Sequence, residues 1–217
     1  MADIQLDLLE LLGIQRPAAA PKVPLSVSER AKAEVENFLR KEGWETEALR
    51  ISVAPGGGRS WGKDAIYKQW GPARFAEAVN RFAPGGPLRV ILLGERKEEP
   101  LLRETAARLR RPALVFAGEP IEKVSALLLR SRFLLSNDGG LVHLANALGT
   151  RTVSIFGPVD ENVYGPYRRE VPNRLVTQSV PCRPCYRNFY FPPCPFSGRC
   201  LTELGVEKVV AAMKDVA

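Results

Sequence analysis

The Asn-Asp-Gly-Gly turn at residues 137–140 is the clearest candidate for a ligand site in the sequence. It follows a short apolar run and precedes a helical pattern at 141–148. A diglycine turn that opens a helix leaves backbone N–H groups facing an incoming anion, and the helix dipole adds about half a positive charge there. The carboxylate of Asp138 could accept hydrogen bonds from ligand hydroxyls, so Asp138, Gly139 and Gly140 predict a phosphate-and-sugar site. The alternative is an ordinary turn or helix cap.

The one histidine of the chain, His143, lies in the first turn of that predicted helix. Next to a phosphate-and-sugar site, it would support the ligand-binding residues from behind. The alternative is a histidine that packs in the core or caps the helix, and one histidine alone is weak support for catalysis.

A second glycine-rich segment, residues 55–70, follows a predicted strand. Gly56 and Gly57 would let the backbone approach a ligand closely. Positive charge is supplied by three basic residues: Arg59, Lys63 and Lys68. This combination suits a diphosphate, although the segment has neither the GxxxxGK[ST] loop nor the GxGxxG fingerprint. The alternative is a flexible turn with solvated basic side chains.

Acidic residues follow the next predicted strand, in the segment LLGERKEE at 92–99. A carboxylate at such a strand end can bind both hydroxyls of a ribose. The candidates are Glu95, Glu98 and Glu99. The alternative is an acidic first helical turn that is stabilised by the helix dipole.

All four cysteines of the chain lie within one segment, in the spacing C-x2-C-x8-C-x5-C: Cys182, Cys185, Cys194 and Cys200. Four thiolates could hold a structural zinc ion, although the spacing is not that of a standard finger. Reduced, metal-free thiols packed among aromatic side chains are the second option. Disulfides are the third, and they are disfavoured in a reducing cytosol.

Predicted strands and helices alternate from residue 49 onward, which indicates βαβ units and an α/β fold with a parallel sheet covered by helices on both faces. The strands are predicted at 51–55, 89–94, 113–118, 133–136, 152–156 and 173–180. The helices are predicted from 67 or 72 to 82, at 99–109, 121–129 and 141–148, and at 203–214 with Thr202 as its cap. Such sheets bind ligands beyond the carboxyl ends of their strands, and every candidate ligand residue lies at such an end.

Residues 1–48 differ from the rest of the chain. A short amphipathic helix at 3–12 precedes a linker rich in Pro and Ala at 14–25, and a helix at 29–41 follows, capped by Ser26 or Ser28. This order predicts the end of another domain, a linker and a leading helix in front of one Rossmann-like domain at 49–217. It is also typical of a chain cut from a longer protein.

The composition is that of a globular protein, and no apolar run approaches the ~18 residues that span a bilayer. The first residues lack the pattern of a signal peptide, which favours the cytoplasm. A formal net charge of +7 suits an anionic substrate or a membrane surface with anionic lipid, or it is simply a solvated basic surface. No nucleic-acid-binding motif is found, so nucleic acid is not an expected partner.

The segment 136–167 resembles the donor-site segment of glycosyltransferase family 9, the heptosyltransferases of lipopolysaccharide core synthesis. The matching residues are Asp138, Gly139, Gly140, His143, Ala145, Leu148, Gly149, Phe156, Gly157 and Pro158. Upstream, Lys68 and Trp70 match a Lys-x-Trp motif, Glu98 is the counterpart of a ribose-binding glutamate, and the family also has a cysteine tail before its last helix. Gly139 stands where these enzymes commonly have Thr or Ser. The resemblance covers about residues 3–217.

The resemblance implies one half of a GT-B fold, the half that binds a nucleotide-diphosphate sugar such as ADP-heptose. It implies inversion in one displacement without a required cofactor, with Lys68 and Gly139-Gly140 stabilising the leaving diphosphate. Asp138 would hold sugar hydroxyls and Glu98 the ribose, while Gly56, Gly57 and His143 complete the donor site.

The acceptor would be an anionic lipid-linked glycan, which places the protein at the inner face of the membrane. The acceptor domain or subunit, with its general base, is expected outside this chain, so that the chain alone would be incomplete and inactive. Three other functions stay open: a nucleotide-sugar-binding module without turnover, a zinc-dependent interaction domain, and a different GT-B enzyme such as a sugar-nucleotide epimerase.

Overall fold

The structure is a computed structural model. It describes residues 10–15, 25–44, 48–57, 62–83, 85–187 and 190–217, without the side chain of Lys63. Most of the predicted helix at 3–12, most of the linker at 14–25, and Arg59 lie outside the described residues.

Six parallel strands form the central sheet, as the alternation of strands and helices predicts. The strands are β1 (Leu49–Ala54), β2 (Leu88–Gly94), β3 (Ala113–Ala117), β4 (Phe133–Asn137), β5 (Arg151–Phe156) and β6 (Asn173–Thr177). Their order in the sheet is β3-β2-β1-β4-β5-β6, and every neighbouring pair is parallel. The order reverses between β1 and β4, where Val53 is in register with Leu135. A crevice at such a reversal is where parallel sheets bind ligands.

Helices cover both faces of this sheet. They are α1 (Glu29–Lys41), α2 (Pro72–Arg81), α3 (Glu99–Ala107), α4 (Ile121–Leu129), α5 (Gly140–Leu148), α6 (Glu161–Tyr164), α7 (Arg199–Thr202) and α8 (Val206–Val216), with 3-10 helices at Gly62–Lys68 and Arg96–Glu98. Helices α1, α4 and α5 pack together on one face, whereas α2, α3 and α8 pack on the other. No helix in the described ranges combines the length and the apolar character that a membrane crossing requires.

Alternate residues of β2 contribute to two separate hydrophobic clusters. Val90 and Leu92 pack among side chains that include Phe75 and Phe133, whereas Ile91 and Leu93 belong to the cluster of α1 and α4. Because successive strand side chains point to opposite faces, both faces of β2 are buried, which explains its continuous apolar sequence.

Helix α1 begins where the sequence predicts. The Ser28 side chain accepts a hydrogen bond from the backbone N–H of Ala31 and so caps the helix, while Ser26 does not take this role. Val35 and Leu39 are buried in the same hydrophobic cluster as residues of β2 and α4, so this leading helix packs onto the domain.

The carboxyl-terminal prediction is wrong in detail. Instead of one helix at 203–214 capped by Thr202, Thr202 ends the short α7, and α8 starts at Val206 after Gly205. The indole N–H of Trp70 donates to the Leu204 carbonyl, which lies in the break between the two helices. Two further elements are shorter than predicted by two or more residues: β6 ends at Thr177 and α3 at Ala107.

Candidate functional site

The candidate site lies at the carboxyl ends of the two central strands. β1 leads into Gly56 and Gly57, and β4 leads into Asp138 and Gly139, after which α5 begins at Gly140. No side chain caps α5, since Gly139 stands at the N-cap position. The first N–H groups of a helix have no partner within the helix, so this helix start can offer them to an anion.

Lys68 and Asp138 form a buried ion pair directly at this helix start. The Lys68 Nζ lies 2.6 Å from the Asp138 Oδ2, and each side chain is only 6% exposed. Lys68 is the last residue of the 3-10 helix Gly62–Lys68, which follows the glycine-rich loop. The sequence assigns these side chains separate roles, whereas the structure joins them. An ammonium carries three N–H donors, so Lys68 can hold Asp138 and still donate to a ligand.

Glu98 lies at the end of β2, beside the glycine loop of β1. Its Oε2 accepts a hydrogen bond of 2.9 Å from the backbone N–H of Glu95, as part of a capping box around the 3-10 helix Arg96–Glu98. Its carboxylate also lies against Gly56 and Gly94. The ribose-site and helix-start interpretations are therefore compatible, because one carboxylate has about four lone-pair sites.

A cleft of about 490 Å³ lies along this edge of the sheet. Four of the predicted candidates line it: Glu95, Glu98, Gly139 and Gly140. Six other candidates do not line it: Gly56, Gly57, Lys68, Glu99, Asp138 and His143. Gly139, which lines the cleft, directly follows Asp138 of the ion pair.

Several residues of the cleft are missed by the sequence predictions. They follow the carboxyl end of β3 and begin α4, and include Gly118, Glu119, Ile121 and Val124. The strand-end rule that identifies Glu98 applies equally to the end of β3, so Gly118 and Glu119 had a usable signal. Ile121 and Val124 had none, because apolar residues at helical spacing normally indicate core.

His143 is exposed, so the interpretation as a core histidine is wrong. Partial desolvation of the ring by the surrounding protein lowers the pKa of its imidazole. Asp138 opposes this lowering, while the nearby Lys68 ammonium adds to it. The ring is therefore biased toward its neutral form at neutral pH.

The four cysteines are free thiols and line one small cavity of about 20 Å³, together with Tyr67, Arg183 and Phe191. Within the described ranges, no three His, Cys, Asp or Glu side chains are arranged to hold a metal ion. Burial raises the pKa of the Cys200 thiol to about 11. Burial, with Cys182 and Cys194 nearby, also raises the pKa of Cys185.

The cysteine-rich loop (residues 181–200) holds the loop that follows β5. Arg183 donates to the carbonyl oxygens of Gly157 at 2.6 Å and Val159 at 3.0 Å, and it pairs with Glu161. The backbone N–H groups of Cys185 and Tyr186 both donate to the Pro158 carbonyl. The Tyr67 ring, next to Lys68, stacks on Phe191 at 4.9 Å. The cysteine-rich loop therefore contacts both the loop that follows β5 and Tyr67, the residue before Lys68.

Comparison with known proteins gives one consistent family. The family model described as "Glycosyltransferase family 9 (heptosyltransferase)" matches residues 7–189. Lipooligosaccharide heptosyltransferase 2 of Campylobacter jejuni is 23% identical over 156 residues, covering 69% of this chain and 46% of that protein. Lipopolysaccharide heptosyltransferase 1 of Pseudomonas aeruginosa is 29% identical over 134 residues, covering 60% of this chain and 35% of that protein. The chain thus spans less than half the length of these relatives.

Solved structures show the same fold. The family 9 glycosyl transferase of Veillonella parvula superimposes with a TM-score of 0.77 at 19% identity, over 99% of this chain and 59% of that one. The ADP-heptose heptosyltransferase II of Escherichia coli gives a TM-score of 0.70 at 21% identity, over 94% and 56%. The predicted parallel α/β fold is confirmed. With the family match over most of its length, the chain belongs to glycosyltransferase family 9, the heptosyltransferase family.

Proposed function

We propose that this chain is the donor-binding part of an inverting glycosyltransferase. It would bind a nucleotide-diphosphate sugar, such as ADP-heptose, and transfer the sugar to the lipopolysaccharide core or a related lipid-linked glycan. The observation that carries this proposal is the buried pair of Lys68 and Asp138 at the uncapped start of α5. Beside it lies a cleft with room for a nucleoside and with Glu98 in its wall.

The ligands of similar structures support the choice of donor. Escherichia coli heptosyltransferase WaaC has been solved with ADP, and it superimposes on this chain with a TM-score of 0.60 at 20% identity. It has also been solved with ADP-2-deoxy-2-fluoro heptose. In the proposed arrangement, the nucleoside occupies the cleft with its ribose at Glu98. The diphosphate then crosses Gly139 toward Lys68, and the sugar reaches Asp138.

The proposed chemistry is electrostatic. The leaving diphosphate gains negative charge in the transition state, and the N–H groups at the start of α5 and the Lys68 ammonium would stabilise it. Loss of one such contact typically costs ~3 kcal/mol, about a hundredfold in rate. The helix backbone fixes the N–H groups, and burial beside Asp138 fixes the Lys68 ammonium, so these groups would need little reorganisation during the reaction. No bound metal or cofactor is required in this proposal.

The acceptor and its general base are assigned to a domain or subunit outside this chain. The acceptor would be an anionic lipid-linked glycan at the cytoplasmic face of the membrane, which suits a chain with a formal net charge of +7. An alternative is a nucleotide-sugar-binding module without turnover. The chain spans only 35–46% of the two curated relatives above. Sugar transfer catalysed by this chain alone would rule the alternative out.

A structural zinc ion at Cys182, Cys185, Cys194 and Cys200 is a further proposal. Its support is the single small cavity that all four residues line. Binding would require the sulfur atoms to move closer, since they form no ligand group as placed. Metal analysis of protein purified under reducing conditions tests this proposal. One equivalent of zinc supports it, and a metal-free, folded protein contradicts it.

Calorimetric titration tests the donor assignment. The folded chain is titrated with ADP, ADP-heptose and UDP-sugars, and saturable binding of the ADP compounds is expected. Glu98→Gln should weaken ADP binding. As a matched control, Glu104→Gln changes an exposed glutamate of α3 and should leave binding unchanged. If the folded chain binds no nucleotide at millimolar concentration, the proposal is overturned.

A further inference from the structure

The Asn137 side chain, which is 1% exposed, joins three segments of the candidate site. Its amide nitrogen donates to the backbone carbonyls of Pro55 at 2.7 Å and Gly56 at 3.1 Å. Its amide oxygen accepts a 3.1 Å hydrogen bond from the backbone N–H of Trp70. All three partners lie more than 60 residues away in sequence, so these contacts are tertiary and not part of a local turn.

Each partner adjoins a group of the proposed donor site. The Gly56 carbonyl belongs to the glycine loop on which the Glu98 carboxylate rests. Trp70 follows Lys68 by two residues, and Asp138 follows Asn137 directly. A carboxamide suits this place because it offers both an acceptor and two N–H donors in one plane, which neither Asp nor Ser provides at neutral pH.

We infer that Asn137 is the positioning residue of the donor site, which sets the distances between Lys68, Asp138 and the glycine loop. It does not contact the donor itself. The inference rests on the proposed function. A misplacement of about 1 Å in such a site can cost about a hundredfold in rate. A single side chain that fixes three loops should therefore affect nucleotide affinity more strongly than its contribution to stability would suggest.

The experiment compares ADP affinity, measured by calorimetry, in Asn137→Ala, Asn137→Asp and a control. The control is Asn146→Ala, because Asn146 is 2% exposed and also bonds distant backbone, at Arg168, through both of its amide atoms. We expect the Kd for ADP to rise at least about tenfold in Asn137→Ala, from misplaced binding groups. In Asn146→Ala the Kd for ADP should stay within about twofold of the wild-type value, although the loss of stability should be similar to that in Asn137→Ala.

Asn137→Asp gives a readout that a purely structural role would not produce. Ionised aspartate keeps an acceptor for Trp70 but faces the Pro55 and Gly56 carbonyls with an oxygen. Its protonated form regains one donor. We therefore expect the ADP affinity of this variant to recover as the pH falls from about 8 to about 6, because a buried carboxylate facing carbonyls is favoured in its protonated form. The wild-type affinity should change less over the same range.

Hydrogen exchange provides a readout that needs no ligand. The amide protons of residues 57 and 70 should exchange faster in Asn137→Ala and stay at wild-type rates in Asn146→Ala. Wild-type affinity in folded Asn137→Ala, or an equal loss of affinity in Asn146→Ala, would overturn the inference and leave the donor site standing. Failure of the wild type to bind ADP would overturn the proposed function and the role of Asn137 with it. Unchanged exchange would remove the positioning role alone.

Discussion

The Glu98 carboxylate occupies the space beside Gly56 that any side chain at position 56 would need. A Cβ built on Gly56 would overlap the Oε1 and Cδ atoms of Glu98. The glycine at the end of β1 therefore lets a carboxylate from the end of β2 reach the centre of the sheet, beside the cleft. Glycine is needed here because a side chain would collide with Glu98. Its backbone torsions are not the reason, since they lie outside the left-handed region.

Gly56→Ala should move Glu98 without unfolding the protein. The overlapping atoms are the end of a flexible side chain, so we expect the free energy of unfolding to change by less than about 1 kcal/mol. The Kd for ADP should rise about as much as in Glu98→Gln. Chemical denaturation and calorimetry measure the two quantities. Gly86→Ala is the control, since nothing lies within 4 Å of a Cβ there. Unchanged ADP affinity in Gly56→Ala would show that the Glu98 position does not matter.

Breaking the pair of Lys68 and Asp138 should cost far more stability than breaking an exposed pair. Lys68→Met or Asp138→Asn removes one member of a buried ion pair, which typically costs about 3–5 kcal/mol, while the double variant should cost less than the sum. Lys32 and Glu29 form a pair with the same 2.6 Å separation, but their side chains are 40% and 88% exposed. Lys32→Met should therefore cost at most about 1 kcal/mol in urea unfolding. Equal costs at the two sites would contradict the buried electrostatic account.

The pKa of His143 should lie below its ordinary value of about 6.5. Because the folded-state pKa is lowered, the unfolded chain binds a proton more readily. Stability should therefore be lost as the pH falls below about 6.5 and retained above it. His143 is the one histidine, so its NMR titration is unambiguous. Lys68→Met should raise this pKa, and Asp138→Asn should lower it further. A His143 pKa at or above the ordinary value would contradict this arrangement.

Cys200 should be the last of the four thiols to react with iodoacetamide in the reduced, folded, metal-free protein. Burial raises its pKa to about 11, and the thiolate is the nucleophile. At about pH 8 nearly all of this thiol is protonated, so alkylation should be slow. Mass spectrometry of timed samples gives the order. In urea the four rates should become similar, and early labelling of native Cys200 would show that it is not buried as described.

The strand ends could be predicted from sequence because apolar runs bounded by Gly and Asp identify buried strands, and parallel strands end at one edge. This places Gly56, Glu98 and Asp138 together without a structure. The pairing of Lys68 with Asp138 could not be predicted, because it joins residues seventy positions apart through a 3-10 helix that has no periodic signal. The contribution of Ile121 and Val124 to the cleft wall could not be predicted either, because apolar residues at helical spacing look like core residues.

The structure of this chain with ADP bound tests the central claim most directly. The account predicts phosphate oxygens at hydrogen-bond distance, about 3 Å, from the first N–H groups of α5 and from the Lys68 ammonium. It also predicts the ribose hydroxyls at Glu98 and the base in the cleft beside Gly118. ADP bound elsewhere, or no bound nucleotide in crystals soaked at saturating concentration, would contradict the assignment of this edge of the sheet as the donor site.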